Sequence, residues 1–77
     1  MNINNIHKTA LIGTGYWGSI IFNTLTKITN KKIFVFDKNL ENSNLLKKKF
    51  KNKTYIAKSF EEILNNKKIE NIILATH

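Results

Sequence analysis

Three glycines near the amino terminus have the spacing of a loop that binds phosphate groups. Residues 13–18 read G-T-G-Y-W-G, which is the pattern G-x-G-x-x-G. The first glycine of this pattern allows a tight turn, the second lets the backbone approach a pyrophosphate, and the third lets a helix lie close to a strand. The amides of Gly15, Tyr16 and Trp17 would point toward the phosphates at the positive end of the helix dipole.

The segments on either side of the loop are those that such a loop requires. Lys8 to Ile12 is a short apolar run, which is typical of a buried parallel strand. From Trp17 to Ile28 the apolar residues recur at steps of three and four, which is the period of a helix. A strand before the loop and a helix after it make the glycine pattern a dinucleotide-binding motif.

Asp37 supplies the second half of that motif. It ends the strand Ile33–Phe36 and follows Gly18 by 19 residues, close to the separation of about 20 expected for the ribose-binding acid. A carboxylate there accepts hydrogen bonds from ribose hydroxyls and repels a 2′-phosphate, so it favours NAD over NADP. The alternative role for Asp37 is a helix N-cap. Lys38 could tolerate a 2′-phosphate, but we interpret it as a solvated side chain.

The aromatic pair in the loop has two interpretations. Trp17 either lines the cofactor cleft near the pyrophosphate or makes the first core contact of the helix. Tyr16 is predicted to shield the phosphates from solvent. His7 is predicted to be a surface residue before the first strand.

The rest of the chain alternates between the same two kinds of element. Ser59 to Glu62 has the pattern of a capping box, in which Glu62 reaches back to the serine amide. The order strand, helix, strand, helix, strand, helix, strand predicts an α/β fold: a partial Rossmann fold, βαβαβαβ, with a parallel sheet in the order 3-2-1-4. The later elements are a helix starting at Asp37 or Asn39 with Leu45, Leu46 and Phe50 as its apolar positions, a strand over Thr54–Ala57, a helix with Ile63 and Leu64, and a buried strand within Ile69–Ala75.

The length of 77 residues allows one domain, residues 1–77. A unit of one strand and the helix that follows it takes roughly 25 residues, so this length holds about half of a complete Rossmann domain. We therefore expect a truncated reading frame or a domain that continues. The fourth strand would be an open sheet edge, which predicts self-association and low stability of the isolated chain.

The net charge of +8 is the balance of 13 basic residues, all of them lysine, and five acidic residues. Such a charge attracts polyanions, but a compositional bias explains it as well, and the lack of arginine makes nucleic-acid recognition unlikely. The run Lys47–Lys49 is interpreted as the solvated face of a helix. Without cysteine there is no disulfide or thiolate metal site, and no metal is expected. No apolar stretch is long enough to span a membrane and no signal peptide is present, so we expect a cytoplasmic protein.

Four motifs in order resemble the glucose–fructose oxidoreductase, inositol dehydrogenase and rhizopine-catabolism (Gfo/Idh/MocA) family. The loop at residues 13–18 is similar to its G-x-G-x-W-G start. The other three similarities cover Phe36–Glu41 with its D-x-N-x-E segment, Ser59–Leu64 with its D-x-E-E-L-L helix, and Ile69–Thr76 with its I-D-x-V-x-I-A-T-P segment.

The resemblance implies an NAD(P)-dependent oxidoreductase that acts on a sugar or cyclitol. It implies no catalytic residue within this chain, because the family's E-K-P lysine and its later histidine would lie beyond residue 77. His77 stands where the family usually has proline. The resemblance implies a set of cofactor-binding residues, to which the loop adds Thr14. They are Gly13, Thr14, Gly15, Tyr16 and Trp17 for the pyrophosphate, Asp37 with Lys38 for the ribose, and Ala75 and Thr76 beside the cofactor.

Two alternatives stay open. A class I methyltransferase-like domain also has a glycine-rich first loop and an acid after the second strand, and it binds S-adenosylmethionine. A nucleotide-binding remnant without catalysis is the other. Whether the chain is part of an enzyme is therefore not decided by its sequence.

Overall fold

The computed structural model of the chain describes residues 9–75. Within residues 9–75, four strands alternate with three α-helices, and a 3₁₀ turn at Lys51–Lys53 precedes the third strand. In chain order the elements are β1 (Thr9–Ile12), α1 (Tyr16–Ile28), β2 (Ile33–Phe36), α2 (Leu40–Lys49), β3 (Thr54–Ile56), α3 (Phe60–Leu64) and β4 (Asn71–Leu74).

The four strands form one parallel sheet in the order β3-β2-β1-β4. The predicted α/β class and the order 3-2-1-4 are confirmed. Leu11 in the central strand β1 lies opposite Val35 of β2 on one side and Ile73 of β4 on the other. Because all strands run the same way, their carboxyl ends meet at one edge of the sheet, and the loops that follow β1 and β2 become neighbours there.

Each face of the sheet has its own apolar core. On the face covered by α1 and α2, the buried side chains are Leu11, Phe22, Ile33, Val35 and Leu46. On the face covered by α3, they are Ala10, Phe34, Ala57 and Ile63. Successive residues of β1 and β2 point to opposite faces, as in any strand. Phe22 is fully buried, although the helical spacing did not single it out, whereas Ile28 is 75% exposed.

Side chains define where α2 and α3 begin. The Asn39 side chain accepts a hydrogen bond from the Glu41 amide (3.0 Å), so Asn39 is the N-cap of α2. Ser59 caps α3 by accepting from the Glu62 amide (3.1 Å), as predicted. The reciprocal half of the capping box is wrong: the Glu62 carboxylate accepts from the amide of Lys58 (2.7 Å) instead of that of Ser59.

Two strands differ from their predicted form. The third strand ends at Ile56, and Ala57 is a buried residue after it whose amide donates to the carbonyl of Val35 (2.9 Å). The fourth strand was predicted to be buried, but Ile72 is 43% exposed and Leu74 is 67% exposed. β4 is an edge strand of the described sheet. Ile72 and Leu74 lie on the α3 face and do not pack into its core, whereas Ile73, on the opposite face, packs against the core there. Self-association through this edge stays a prediction.

Candidate functional site

The first glycine of the loop makes a turn that a residue with a side chain rarely adopts. Gly13 has φ 96°, the left-handed region in which glycine has no steric penalty. Its amide donates to the carbonyl of Phe36 at the end of β2 (2.7 Å). The turn after β1 is therefore tied to the neighbouring strand.

The third glycine permits a close contact within the backbone. A Cβ on Gly18 would lie 1.9 Å from the carbonyl oxygen of Gly13 and 3.8 Å from the Cβ of Ala75. The first of these distances is far below any van der Waals contact, so the first turn of α1 reaches the loop only because residue 18 has no side chain. This is the packing role predicted for the third glycine.

The second glycine lies beside open space. A Cβ on Gly15 would have Asn42 Nδ2, at 3.9 Å, as its nearest non-neighbouring atom. Gly15 is also the N-cap of α1, where no side chain caps the helix and no acidic residue occupies the first turn. The first amides of a helix have no partner within the helix. A phosphate at this end would meet those amides without meeting a side chain of residue 15, so the loop fits a pyrophosphate.

Asp37 lies against this loop. Its Oδ2 accepts a hydrogen bond from the Thr14 amide (2.7 Å), and its Oδ1 accepts from the Asn39 amide (2.8 Å). Because Asn39 caps α2, the alternative role of Asp37 as an N-cap is wrong. The carboxylate instead joins the end of β2 to the loop that follows β1.

Two further polar side chains complete the cluster. The hydroxyl of Thr14 lies 3.3 Å from Asp37 Oδ2 and 3.2 Å from the hydroxyl of Ser43, which is fully buried. The Asn42 side-chain amide donates to Asp37 Oδ2 at 3.5 Å. Sequence reasoning missed Asn42 and Ser43. The available signal was their position one turn after Asn39, which places them on the first turns of α2 beside the glycine loop.

The cluster keeps Asp37 ionised. Partial burial raises the pKa of the Asp37 carboxyl, but the hydrogen bonds from the Thr14 and Asn39 amides, with those from Asn42 and the Thr14 hydroxyl, outweigh burial and hold the pKa below its ordinary value. The charge that would attract a ribose hydroxyl and repel a phosphate is present throughout the neutral range.

This shift predicts an acid-dependent loss of stability. A carboxyl whose pKa is lower in the folded state stabilises the fold above its unfolded pKa, about 3.9, and this contribution is lost as the pH falls through the folded pKa. We expect the urea midpoint of the chain to fall with pH below about 4, and to fall less in Asp37→Asn, whose side chain does not titrate. Urea unfolding from pH 6 to pH 2 measures both. Parallel curves for the two proteins would contradict the prediction.

A cavity of about 290 Å³ lies next to Gly15, between the start of α1 and one face of α2. Tyr16 lines this cavity and is 75% exposed, and its role in shielding the phosphates stays a prediction. The residues that line the cavity are Thr14, Gly15, Tyr16, Ser19, Asn42, Leu45, Leu46 and Lys49.

Trp17 does not line this cavity and does not reach the core. Its side chain is 56% exposed and its ring packs edge-on against that of Tyr16, with centroids 5.4 Å apart. The interpretation of Trp17 as a core contact is therefore wrong. The reason is the orientation of α1 about its own axis. Gly18 and Phe22 face the sheet, and Trp17 lies outside this buried side of the helix.

The remaining predicted site residues lie around the same edge or outside the described part. Lys38 is exposed. The amide of Ala75 donates to the carbonyl of Ile12 (2.8 Å), which places Ala75 at the end of β4 beside the glycine loop. Thr76, His77 and His7 lie outside the described residues. Within residues 9–75, no group of three or more histidine, cysteine or acidic side chains could hold a metal ion.

None of the helices between residues 9 and 75 has the length and apolar character needed to cross a membrane.

Comparison with known proteins adds one match. A family model described as shikimate / quinate 5-dehydrogenase matches residues 2–77. No curated protein and no solved structure gives a significant match. The matching family is not Gfo/Idh/MocA, so that resemblance and its sugar or cyclitol specificity are not confirmed. The broader prediction, an NAD(P)-binding domain of the oxidoreductase type, agrees with the match.

Proposed function

Because the chain belongs to the shikimate / quinate 5-dehydrogenase family, we propose that it binds NAD(H) through residues 13–18 and Asp37. The observation that supports this most is the contact between the two halves of the motif: Asp37 accepts from the Thr14 amide at 2.7 Å. The carboxylate lies at the turn that the pyrophosphate would occupy. One dinucleotide could therefore contact the glycine loop with its pyrophosphate and Asp37 with its ribose.

The hydrogen bonds of Asp37 leave room for a ribose. A carboxylate has about four acceptor positions. Two are taken by short bonds from backbone amides, whereas the bonds from the Thr14 hydroxyl and Asn42 are long, at 3.3 and 3.5 Å. The Thr14 hydroxyl has Ser43 as an alternative partner. A ribose hydroxyl can therefore replace a long bond without leaving a buried group unpaired.

The choice of NAD over NADP rests on charge. Asp37 is ionised at neutral pH, and a negative group next to the ribose repels a 2′-phosphate. Lys38 follows it but is exposed and makes none of the hydrogen bonds of the cluster. These facts support NAD(H) as the preferred cofactor.

The reaction class follows from the cofactor and the family. A bound nicotinamide dinucleotide supplies hydride transfer, and residues of this chain would hold and orient it. Shikimate and quinate in the family name, and the sugars and cyclitols that the motifs implied, all carry a secondary alcohol on a ring. We propose that the chain serves the dehydrogenation of such a ring alcohol, with the catalytic groups outside the described residues. A cytoplasmic location also remains a proposal.

Titration of the chain with NADH, followed by nicotinamide fluorescence, tests the cofactor. We expect NADH to bind more tightly than NADPH, and S-adenosylmethionine to give no heat of binding in calorimetry. Equal affinity for NADH and NADPH would contradict the proposal that the Asp37 carboxylate repels a 2′-phosphate. Tight binding of S-adenosylmethionine would favour the methyltransferase-like alternative, and no binding of either would favour a remnant.

Asp37→Ala is expected to weaken NADH binding roughly 10- to 100-fold. The variant loses a charge-assisted hydrogen bond worth about 1.5–3 kcal/mol. Thr14→Val is the matched control, because it removes the hydroxyl but keeps the amide that contacts Asp37; we expect its NADH affinity to change by less than about threefold. If Asp37→Ala bound NADH as the unchanged chain does, the ribose assignment would be wrong.

A further inference from the structure

The charged side chains are sorted between the two edges of the sheet. In this parallel fold the helices end, and the connections from helix to strand run, at the edge where the strands begin. Ten of the twelve lysines in the described part of the chain lie at that edge, with Glu70 as the one acidic residue among the described residues there. We call it the basic edge, and its lysines are Lys27, Lys31, Lys32, Lys47, Lys48, Lys49, Lys51, Lys53, Lys67 and Lys68.

The opposite edge, where the proposed cofactor site lies, has the reverse balance. Its formal charge is −2, from two lysines against four acids, whereas that of the basic edge is +9, from ten lysines against one acid. Most of the lysine excess therefore lies away from the proposed dinucleotide site, and Lys49 is the lysine of the basic edge that also lines the cavity beside Gly15. The charged residues of the cofactor edge are Lys38, Lys58, Asp37, Glu41, Glu61 and Glu62.

Neither helix dipoles nor composition accounts for this distribution. Cations are favourable in the last turn of a helix, which covers Lys27 and the run Lys47–Lys49, but α3 has no basic residue in its last turn. The other six lysines lie in the connections outside the α-helices. A compositional bias toward lysine would place it at exposed positions of both edges.

We propose that the basic edge binds the phosphate backbone of double-stranded DNA without reading its sequence. Eight of its ten lysines are exposed, and Lys53 is held by a hydrogen bond from its Nζ to the carbonyl of Thr29 (3.4 Å), which joins two of the connections. Lysine ammonium groups contact phosphates as point charges. Bidentate contacts of arginine with guanine are a common means of reading sequence, and the chain has no arginine.

The aromatic residues favour a duplex over a single strand. Single-stranded nucleic acids, including most RNA targets, bind through bases stacked on aromatic side chains. The exposed rings of Tyr16, Trp17 and Phe60 lie at the cofactor edge, at the starts of α1 and α3. Near the basic edge, the Phe50 ring packs against that of Phe22, with centroids 5.2 Å apart. Tyr55 in β3 is 40% exposed, and its ring packs against that of Phe34, with centroids 4.7 Å apart. The described part of the basic edge thus presents many lysines, whereas the rings nearest to it already pack against other rings.

An anionic membrane is the competing partner for a lysine-rich surface. Membrane binding of this kind needs apolar side chains that enter the lipid beside the cations. Ile28 and Leu64 are exposed at the basic edge, by 75% and 57%, but they belong to α1 and α3 on opposite faces of the sheet. They form no continuous apolar strip. The geometry therefore favours duplex DNA over an anionic membrane as the partner.

Fluorescence anisotropy of the 77-residue chain with a 20-bp duplex of mixed sequence tests the proposal. We expect binding in the micromolar range at 50 mM salt that weakens steeply toward 200 mM, because each neutralised phosphate contributes about −0.9 to the slope of log K against log salt. The double variant Lys47→Gln with Lys48→Gln should lose about 1.8 from that slope and bind at least tenfold more weakly. The matched control, Lys38→Gln with Lys58→Gln, removes the same charge from the cofactor edge and should bind within threefold of the unchanged chain.

Three outcomes would overturn the proposal. They are equal weakening by the two double variants, no binding of the duplex at 50 mM salt, and lysine-dependent binding to vesicles with one-third anionic lipid but not to the duplex. Circular dichroism of each variant verifies its fold. The proposal is separate from that for the cofactor, since the Lys47/Lys48 variant should keep its NADH affinity and Asp37→Ala should keep its affinity for the duplex.

Discussion

Gly18→Ala is expected to lower the free energy of unfolding by at least about 3 kcal/mol, the upper end of the usual effect of overpacking. For a domain of this size, that corresponds to a fall in melting temperature of at least roughly 12 °C. The total stability of such a domain is about 4–12 kcal/mol, so the substitution would remove about a quarter to three quarters of it. Thermal unfolding followed by circular dichroism measures the change.

The expected effect is large because the obstacle is backbone. The added Cβ would lie 1.9 Å from the carbonyl oxygen and 2.7 Å from the carbonyl carbon of Gly13. A flexible side chain could rotate away, but Gly13 is held by the turn itself and by the hydrogen bond that its amide donates to the carbonyl of Phe36. Relief would require α1 to move away from the sheet, which would open the core around Phe22.

Gly15→Ala is the control for this prediction. The same methyl group is added three residues earlier, where the nearest non-neighbouring atom would be Asn42 Nδ2 at 3.9 Å. We expect its melting temperature to stay within about 3 °C of that of the unchanged chain. If Gly18→Ala were as stable as Gly15→Ala, the conclusion that α1 can approach the loop only with glycine at residue 18 would be wrong.

The features that could be predicted from sequence are those that local patterns determine. Four short apolar runs separated by amphipathic segments allow few topologies other than a parallel sheet, and the right-handed crossover then determines the order β3-β2-β1-β4. The glycine spacing determines the loop, because each glycine meets a local requirement of turn or packing. Asp37 was predictable since the end of β2 adjoins that loop in any fold of this type.

The features that were missed depend on which side of an element a residue faces. Trp17 belongs to the helical pattern of apolar residues and Phe22, five residues later, does not, but the docking of α1 buries Phe22 and leaves Trp17 exposed. Ser43 looks like an ordinary polar residue of α2 until the helix places its hydroxyl beside Thr14. The apolar sequence of β4 predicts burial, but whether Ile72 and Leu74 are buried depends on what packs over their face of the strand.

The distribution of lysines illustrates the same point for charge. In the sequence, the 13 lysines were best explained as a compositional bias. Once parallel strands assign each connection to an edge, two edges with formal charges of opposite sign emerge from the described residues. The lysines of the basic edge are distant from one another in the sequence, and the order of the strands and helices brings them to one edge of the sheet. A short stretch of sequence therefore does not reveal the basic edge.

Gly15→Val is expected to weaken NADH binding by at least about 100-fold, while the chain remains folded. The valine side chain would project into the open space beside the start of α1, where a pyrophosphate would approach the backbone amides. Loss of one or two charge-assisted hydrogen bonds, each worth about 1.5–3 kcal/mol, accounts for that change. Fluorescence titration with NADH measures it, and circular dichroism establishes that the variant is folded.

A smaller substitution at residue 15 and a substitution at residue 14 serve as controls for this prediction. Gly15→Ala should weaken NADH binding by an intermediate amount, since its methyl group only partly fills the space. Thr14→Val, one residue earlier, should leave binding nearly unchanged, because the Thr14 amide and its bond to Asp37 remain. A loss of affinity that rises from glycine to alanine to valine at residue 15, with no matching loss of stability, is the expected sign of a ligand that touches the backbone. If folded Gly15→Val bound NADH normally, the phosphates would lie elsewhere.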